Sequence, residues 1–432
     1  MRANIRRNLL HRIVIVGGGL GGLKMAMSLR NKGYQVVLID KNNYNQFPPL
    51  IYQVASSGIE PSNVSFPFRR IFQGCENFFF RMGEVLAIDE QEKAIKTTFG
   101  TVHYNDLVLA AGATTNFFGN AHFEHNTLPM KTVDDAIHLR NTILERLEAA
   151  ETEDNPERRQ ALMNIVIVGG GPSGVEIAGA LAEMKRTILP RDYADLDASK
   201  MHIYLINAGD RLLSAMDKTS SAKAEKGLEE LGVEIMSGCM ALDYANGQLL
   251  LKDHAPIASE TVIWVSGIKA NTIEGIPATS IGRGGRIVVD RFNRVKGMTD
   301  VYAIGDQCLI EGDAAYPHGH PQLAQVAIQQ AANVAYNLER QQEGKPMRPF
   351  NYNNLGVMAT IGRKKAVVEI GKLKFGGFFA WLLWLVVHLR SILGVRNKTI
   401  VLLNWMWSYL NYKQSLRLIF KPKEEQQEDL AL

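Results

Sequence analysis

A short apolar run leading into a glycine-rich turn occurs twice in this chain. Residues 13–16 lead into Gly17-Gly18-Gly19-Leu20-Gly21-Gly22. Much later Ile165–Val168 leads into Gly169-Gly170-Gly171-Pro172-Ser173-Gly174. After each turn comes a stretch of helical spacing, residues 23–31 and 175–185. A second apolar run then follows, residues 35–39 and 203–206. Strand, tight glycine turn, helix and parallel strand make one βαβ unit. Its return at this distance is domain-scale duplication and not a short-period solenoid. The expected fold is therefore α/β, with two Rossmann-like dinucleotide-binding domains.

The spacing of the glycines has a mechanical reason. Gly17 and Gly169 permit the tight turn, Gly19 and Gly171 let backbone approach a pyrophosphate, and Gly22 and Gly174 let the helix pack close to the strand. The helix N-terminus offers free N–H groups and a positive dipole end to phosphate. A lone glycine motif is weak evidence, because glycine turns are common. Here strand and helix flank it both times, and Asp40 ends the second strand of the first copy. A carboxylate at that spacing accepts the ribose hydroxyls of a dinucleotide. In the second copy Asn207 stands at the acid position, and Arg211 follows four residues on. An amide still hydrogen-bonds a ribose hydroxyl but lacks the charge that repels a 2′-phosphate. NADH use with some tolerance of NADPH is the expectation, with Arg211 reaching for the phosphate.

With 432 residues, the chain has room for two or three domains. Its 46% hydrophobic and 21% charged residues exclude a mostly disordered chain and a polytopic transporter. Nothing resembles a basic stacking surface for nucleic acid. The N-terminal apolar run is too short for a signal peptide and reads as a strand. Cys75, Cys239 and Cys308 are scattered, with no C-x-x-C pair. That argues against a dithiol centre and for a buried, inert Cys308. The expected domains are 1–130 and 286–345 (one domain split in sequence), 131–285 (the second, inserted), and a C-terminal segment, 346–432. Residues 133–150 have helical spacing and 151–160 read as a solvated connector. Residues 262–265, 286–289 and 301–304 read as strands, 322–339 as a helix and 341–349 as a linker.

The C-terminal segment differs in character. Residues 378–387 are apolar on all sides but too short to span a bilayer. Residues 399–412 are amphipathic. Asn404, Ser408, Asn411 and Ser415 form a polar stripe opposite Leu402, Met406 and Tyr409, with Trp405, Trp407 and Tyr412 towards the flanks. Nine Lys/Arg and no acid lie between Lys372 and Lys423, ahead of an acidic tail at 424–429. This pattern suits a helical, monotopic segment on an anionic membrane surface. A pair of core or dimer-interface helices is the alternative.

Further segments carry a family resemblance over nearly the whole chain. They are 43–55 (NYNQFPPLIYQVA), 107–112 (LVLAAG), 263–267 (IWVSG), 302–306 (YAIGD) and 324–331 (AQVAIQQA), beside the two glycine loops. Together they resemble type II NADH:quinone oxidoreductases, single-subunit NADH dehydrogenases of the two-dinucleotide-binding-domain flavoproteins. The A-Q-x-A-x-Q run is the most specific match.

The resemblance implies non-covalent FAD held by Gly17, Gly18, Gly19, Leu20, Gly21, Gly22, Asp40, Lys41, Val85, Ala111, Gly112, Asp306 and Ala327. It implies NADH at Gly169, Gly171, Pro172, Ser173, Gly174, Glu176, Asn207 and Gly267. A membrane quinone, menaquinone or ubiquinone, would sit at Ala324, Gln325 and Gln329. Glu176 and Gln325 are the expected catalytic residues: a carboxyl relaying protons and a neutral amide facing a quinone carbonyl. No metal is implied. The expected setting is a homodimer on the cytoplasmic face of the cell membrane, transferring two electrons without pumping protons. Ser173 stands where the family often has Thr, which keeps the hydroxyl. Other readings stay open: a ferredoxin or rubredoxin reductase, a sulfide:quinone oxidoreductase, or a non-enzymatic NADH-sensing flavoprotein.

Overall fold

The computed structural model describes residues 3–6, 8–411 and 417–419, apart from the side chains of 408–411. Ser408, Tyr409, Asn411, Tyr412, Ser415 and the acidic tail at 424–429 therefore lie outside the described side chains. The chain divides into two compact units. One comprises Met1–Phe47, Val64–Asn116 and Gly267–Gly356; the other comprises Pro48–Asn63, Phe117–Ser266 and Val357–Leu432.

The first unit is built on a five-stranded parallel sheet. Its order is Val301–Ala303, Asp106–Leu109, His11–Val16, Tyr34–Asp40 and Phe78–Met82. The second unit repeats the plan with Leu128–Pro129, Thr261–Trp264, Ile165–Val168, Ile203–Asn207 and Glu234–Ser237. Each unit also inserts a three-stranded antiparallel meander just before its return strand: residues 85–103 in the first and 241–258 in the second. The duplication thus extends well beyond the βαβ core. The central strands are uniformly apolar because a parallel sheet is covered on both faces. Ile165, Val166, Ile167 and Val168 are all buried, as are Ile13 to Val16.

The expected borders at 130/131 and 285/286 move to 116/117 and 266/267. The cause is a two-stranded antiparallel ribbon, Ala113–Thr115 with Ile268–Ala270, which ties both crossing chains to the first unit. The connector expected at 151–160 is mostly helix. Val133–Thr152 starts with a capping box between Thr132 and Asp135 and runs to Thr152. After a short break Asn155 caps Pro156–Met163, accepting from the N–H groups of Glu157 and Arg158. Pro at the first helical position fits there, because its missing N–H would have no partner anyway.

Residues after 356 are no free-standing helical segment. An antiparallel sheet, Val357–Thr360, Ala366–Ile370 and Leu373–Gly377, comes first. It packs on the helices Pro172–Thr187 and Lys218–Glu229 of the second unit. The approach is backbone to backbone: a Cβ on Gly179 would lie 2.5 Å from the Gly362 nitrogen. Two helices follow, Phe378–Ser391 and Val395–Asn411. Each has one buried face. Ala380, Trp384 and Val401 are at most 1% exposed, whereas Phe379, Val386, Leu403, Met406 and Trp407 are more than half exposed. Among the described residues no helix is long and apolar enough to cross a membrane.

Candidate functional site

In the first unit the glycine loop closes as its spacing requires. Gly17 has φ +97°, and a Cβ there would lie 2.4 Å from the Ala110 carbonyl oxygen. A Cβ on Gly22 would lie 1.8 Å from the Gly17 oxygen, so only glycine lets the helix Leu20–Leu29 start this close to the strand. Beyond Gly19 a Cβ would meet nothing within 4 Å. The space faces an uncapped helix N-terminus, which a pyrophosphate can fill. Asp40 Oδ2 accepts from the Gly18 N–H at 2.6 Å, and Oδ1 accepts from the Asn42 N–H at 2.8 Å. Burial raises its pKa while those N–H groups and Lys41 pull it down. Gly21 packs against Ala327, and so does Gly305, which brings the Ala324–Gln342 helix against the loop helix. Val85 is half-buried on the meander, and Lys41 and Leu20 edge the loop.

The turn at Ala111 and Gly112 is held by two residues that the sequence did not single out. Gln307, fully buried, accepts from the Ala111 N–H at 2.9 Å and donates to the Asn271 carbonyl at 2.7 Å; Asn271 donates to the Ala111 carbonyl at 2.8 Å. Asp306 sits in the same short turn, Gly305–Gln307, where Gln322 Nε2 donates to its carbonyl at 2.8 Å. Gln330 accepts from the Gly305 N–H at 2.7 Å and from Cys308 Sγ at 3.4 Å. The only sequence signal for Gln330 was its place next to Gln329.

Gln325 and Gln329 share a helix face as their spacing predicts, but their amides are engaged. Gln325 Nε2 donates to the Gly356 carbonyl, and its Oε1 accepts from the Leu355 N–H, both at 2.9 Å. Gln329 clasps Asn353 in the same way, at 2.8 and 2.9 Å. They strap residues 353–356 to the helix. A primary amide has four hydrogen-bonding positions. Each Gln therefore keeps one N–H, in an orientation fixed by the strap. Ala324 is exposed at the head of this helix.

In the second unit Gly169 has φ +126°, and a Cβ on Gly174 would again lie 1.8 Å from the oxygen of the first loop glycine. Gly171, Pro172 and Ser173 are accessible at the helix start. The acid position is wired differently. Asn207 Nδ2 donates to the carbonyls of Gly209 and Arg211, both at 3.0 Å. The expectation for Arg211 does not hold. Its guanidinium turns inward, with Nη1 donating to the Met216 carbonyl and Ser221 Oγ at 2.7 Å and Nη2 to the Ser214 carbonyl at 2.6 Å. Through the carbonyls of Ser214 and Met216 the cation braces the loop. Gly267 lies in the first unit, where its carbonyl accepts from Asn116 N–H.

Glu176, on the same helix as the second loop, lines a cavity of about 100 Å³. Tyr52, Gln53, Glu183, Thr360, Trp381, Trp384 and Trp405 also line it. Glu176 opens partly to the cavity and is otherwise packed against protein. Burial lifts its pKa to about 8, against the opposing pull of the Thr360 N–H at 3.4 Å and the Trp384 indole. The Trp384 N–H makes no well-formed hydrogen bond and is buried. A hydrogen-bonded chain runs along the wall: Trp405 Nε1 donates to Gln53 Oε1 at 2.9 Å, and Gln53 Nε2 to Tyr52 Oη at 3.0 Å. Tyr52 Oη and Thr360 Oγ1 then share a bond of 3.0 Å. Trp405 thus faces this chain, not the flank expected of it, and Trp384 is wedged between Tyr52, His388 and Trp405. His388 is held neutral, its pKa pushed down to about 4 by burial. A larger polar cleft of about 560 Å³, lined by His122, Arg146, Tyr244 and Glu260 among others, contains none of the expected residues.

The three cysteines are unpaired. Cys308 is fully buried and its thiol is pushed up to about 12, so it is unreactive at neutral pH. Among the described residues no cluster could hold a metal ion.

Two nucleotide cradles of one plan define a class. The family model described as pyridine nucleotide-disulphide oxidoreductase matches residues 11–331, and the chain belongs to that family. Within it the chain is a type II NADH:quinone oxidoreductase by descent, since the model of the NDH2 C-terminal domain matches residues 354–412 and close relatives carry that name. The type II NADH:quinone oxidoreductase Ndh of Mycobacterium tuberculosis is 34% identical over 417 residues, covering 94% of this chain and 89% of its own. That of Haemophilus influenzae is 28% identical over 395 residues, covering 84% and 88%. The fold is shared with NDH2 from Plasmodium falciparum, solved in complex with NADH: TM-score 0.85, 19% identity, 95% and 100% covered. The sulfide:quinone oxidoreductase of Aquifex aeolicus follows at TM-score 0.72, 17% identity, with 93% and 96% covered.

Proposed function

We propose that this enzyme oxidises NADH with a non-covalently bound FAD and delivers two electrons to a membrane quinone, without moving protons across the membrane. The first cradle suits the ADP half of FAD: open space beyond Gly19, a helix N-terminus for the pyrophosphate, and a carboxylate fixed by two backbone N–H groups for the ribose. When bound, the flavin supplies the hydride acceptor and electron donor that amino-acid side chains lack. The second cradle, Gly169 to Gly174 with Asn207, holds NADH. Gln307, Asn271 and Gln330 keep the turns at Ala111 and Asp306 rigid, which orients whatever those turns hold.

Reduction of a quinone takes up protons as well as electrons. The observation that carries the reading is Glu176: a carboxyl that stays protonated at neutral pH inside an aromatic-walled cavity of the NADH-binding unit. It holds one proton on its carboxyl oxygen, ready to give to a reduced quinone. Gln325, oriented by its strap, offers its remaining N–H to a quinone carbonyl. The test is steady-state NADH oxidation with a water-soluble quinone and, in parallel, with ferricyanide, which needs no proton. Glu176→Gln and Gln325→Ala should each slow quinone reduction far more than ferricyanide reduction. Equal losses with both acceptors would refute the assignment.

Membrane association is part of the proposal and rests on the two C-terminal helices. Their inner faces are packed, and their outer faces present Phe379, Val386, Leu403, Met406 and Trp407. Exposed apolar surface of this kind, flanked by Lys and Arg, suits the interface of an anionic bilayer. Cutting the chain after Gly371 would remove a paired strand and buried Trp384, so outward-facing substitutions are the test. Phe379→Glu with Trp407→Glu keeps the inner face and should release the protein from anionic liposomes. Continued co-sedimentation would contradict the membrane reading.

A further inference from the structure

We propose that Glu183 is the inlet through which solvent protons reach Glu176, by way of the cavity that the two carboxyls share. The inference deepens the proposed function and rests on its reading of Glu176 as the group that gives a proton to the reduced quinone.

The helix Pro172–Thr187 shows where the route lies. From Gly174 to Met184 every residue is buried except Glu176, Ala180 and Glu183. Their spacing, i, i+4 and i+7, sets them on one helix face. All three border the cavity of about 100 Å³. Two turns separate the carboxyls, roughly 10 Å along the axis, too far for direct proton transfer. Ala180, between them, has too small a side chain to close the gap. A cavity of this volume has room for several waters, and Glu176, Glu183, Tyr52 and Thr360 bring polar groups to its wall.

Glu183 is placed to meet solvent. It is half-buried, and its Oε1 accepts a long hydrogen bond from the Arg363 N–H, at 3.4 Å. Gly362 permits this approach: it has φ +65°, and a Cβ there would lie 3.3 Å from Glu183 Oε1 and 2.8 Å from Leu231 Cδ1. The turn between the strands Val357–Thr360 and Ala366–Ile370 thus comes up to the carboxyl as bare backbone. A carboxyl beneath such a turn carries a desolvation cost that an alkyl side chain would avoid.

The other polar path along the wall does not serve. It runs through Trp405, Gln53, Tyr52 and Thr360. An indole and a primary amide do not release protons near neutral pH, and burial lifts the Tyr52 phenol further from ionisation. The path also meets Glu176 through the Thr360 backbone N–H, not its hydroxyl. A carboxyl at the far end of a watered gap does exchange protons. The cycle then closes: Glu176 gives its proton to the reduced quinone, water in the cavity reprotonates the Glu176 carboxylate, and Glu183 replaces that proton from bulk solvent.

The test compares quinone and ferricyanide reduction by the holoenzyme in Glu183→Gln, Ala180→Leu and Glu176→Gln. Glu183→Gln keeps the size of the side chain but has no carboxyl proton to exchange. It should slow quinone reduction about tenfold, below the roughly 10²- to 10⁴-fold of a group that transfers the proton directly, and ferricyanide reduction far less. Formate, a small weak acid, should restore its rate, and Glu183→Asp should stay near the parent. Ala180→Leu fills the gap with Glu183 in place, so it should show the same loss without rescue by formate. Parental quinone reduction in Glu183→Gln or Ala180→Leu overturns the proposal. So does an equal loss with both acceptors, or a loss in Glu183→Gln that formate leaves unchanged. If Glu176→Gln slows both acceptors equally, the reading beneath the proposal fails. If it slows quinone alone while Glu183→Gln does not, only the inlet fails.

Discussion

The two glycine loops of this chain solve one steric problem identically and one electrostatic problem in opposite ways. Gly17 and Gly169 both take positive φ, Gly22 and Gly174 both leave 1.8 Å where a Cβ would go, and each first glycine donates to the neighbouring strand at 2.8 Å, to Ile39 and to Ile206. At the end of the second strand they diverge. Asp40 is a carboxyl held by donors, the N–H groups of Gly18 and Asn42. Asn207 is a neutral amide held by acceptors, the carbonyls of Gly209 and Arg211. The first arrangement suits a cofactor that stays, with a charged acceptor bound to backbone. The second suits a substrate that must leave, since a neutral acceptor grips a hydroxyl less strongly.

The largest effect should come from the shared steric solution. Gly22→Val should abolish flavin retention, read from the absorbance of the purified protein. Gly174→Val should keep the flavin and lower the rate of its reduction by NADH by roughly 10²-fold or more, as a clash with backbone cannot relax. Flavin loss in both variants would mean that the two cradles are not independent.

Next comes the divergent position. Asp40→Ala removes an acceptor with full charge and should weaken FAD by about 1.5–3 kcal/mol, whereas Asn207→Ala should weaken NADH by only about 0.5–1.5 kcal/mol. Ultrafiltration of free flavin and the KM for NADH measure the two. A larger loss at Asn207 would reverse the proposed distinction between resident and diffusing ligand.

The acids of the two units sharpen the contrast further. Burial raises both: at Asp40 two backbone N–H groups and Lys41 oppose the rise, while Glu176, with poorer partners, is lifted to about 8. Quinone reduction should fall roughly tenfold per pH unit above 8 if the Glu176 proton is used in the rate-limiting step. Glu176→Gln should remove that limb. Stability moves with the same group. Between about 4.5, where the unfolded chain titrates, and about 8, the folded state binds one proton more. Stability therefore falls with rising pH across that window, and the Gln variant should lose the slope. A denaturation series from pH 5 to 8 that is as steep in the variant as in the parent would remove Glu176 as the cause.

What the sequence made legible were the features whose causes are local. Glycine positions, the alternation of strand and helix, and the acid-position residues all follow from neighbours in sequence. The antiparallel sheet at 357–377 was missed because its pairing partners are set by turns at 361–365 and 371–372, inside a segment dominated by its apolar helices. Asn155 and Pro156 read as a linker, although that pair is also a helix start. Gln307, Gln330 and the Trp405–Gln53–Tyr52–Thr360 chain are brought into place only by tertiary contacts. Gln53 and Trp405 are 352 positions apart, and no spacing rule connects them. The tryptophans show the same gap: their apolarity was evident, but burial of Trp384 and exposure of Trp407 depend on which face the fold covers.

The smallest contrast lies at the middle glycines. A Cβ on Gly18 would press 2.2 Å from the ring of Phe68, a fully buried side chain packed at a tilt against Phe80. A Cβ on Gly170 would instead press 2.6 Å from Asn207 Cγ, a half-exposed amide at the edge of its unit. Gly18→Ala must move a packed aromatic ring and should cost about 1–3 kcal/mol of stability. Gly170→Ala must displace the amide and the end of the buried Leu212 side chain, 2.8 Å away, both flexible, so its thermal melt should shift less than that of Gly18→Ala. Its effect should appear in recognition instead: a moved Asn207 loses one carbonyl or the other, its oxygen leaves the ribose position, and the KM for NADH rises severalfold. A Gly170→Ala protein that melts early yet binds NADH normally would show that the amide is structural and that the ribose is held elsewhere.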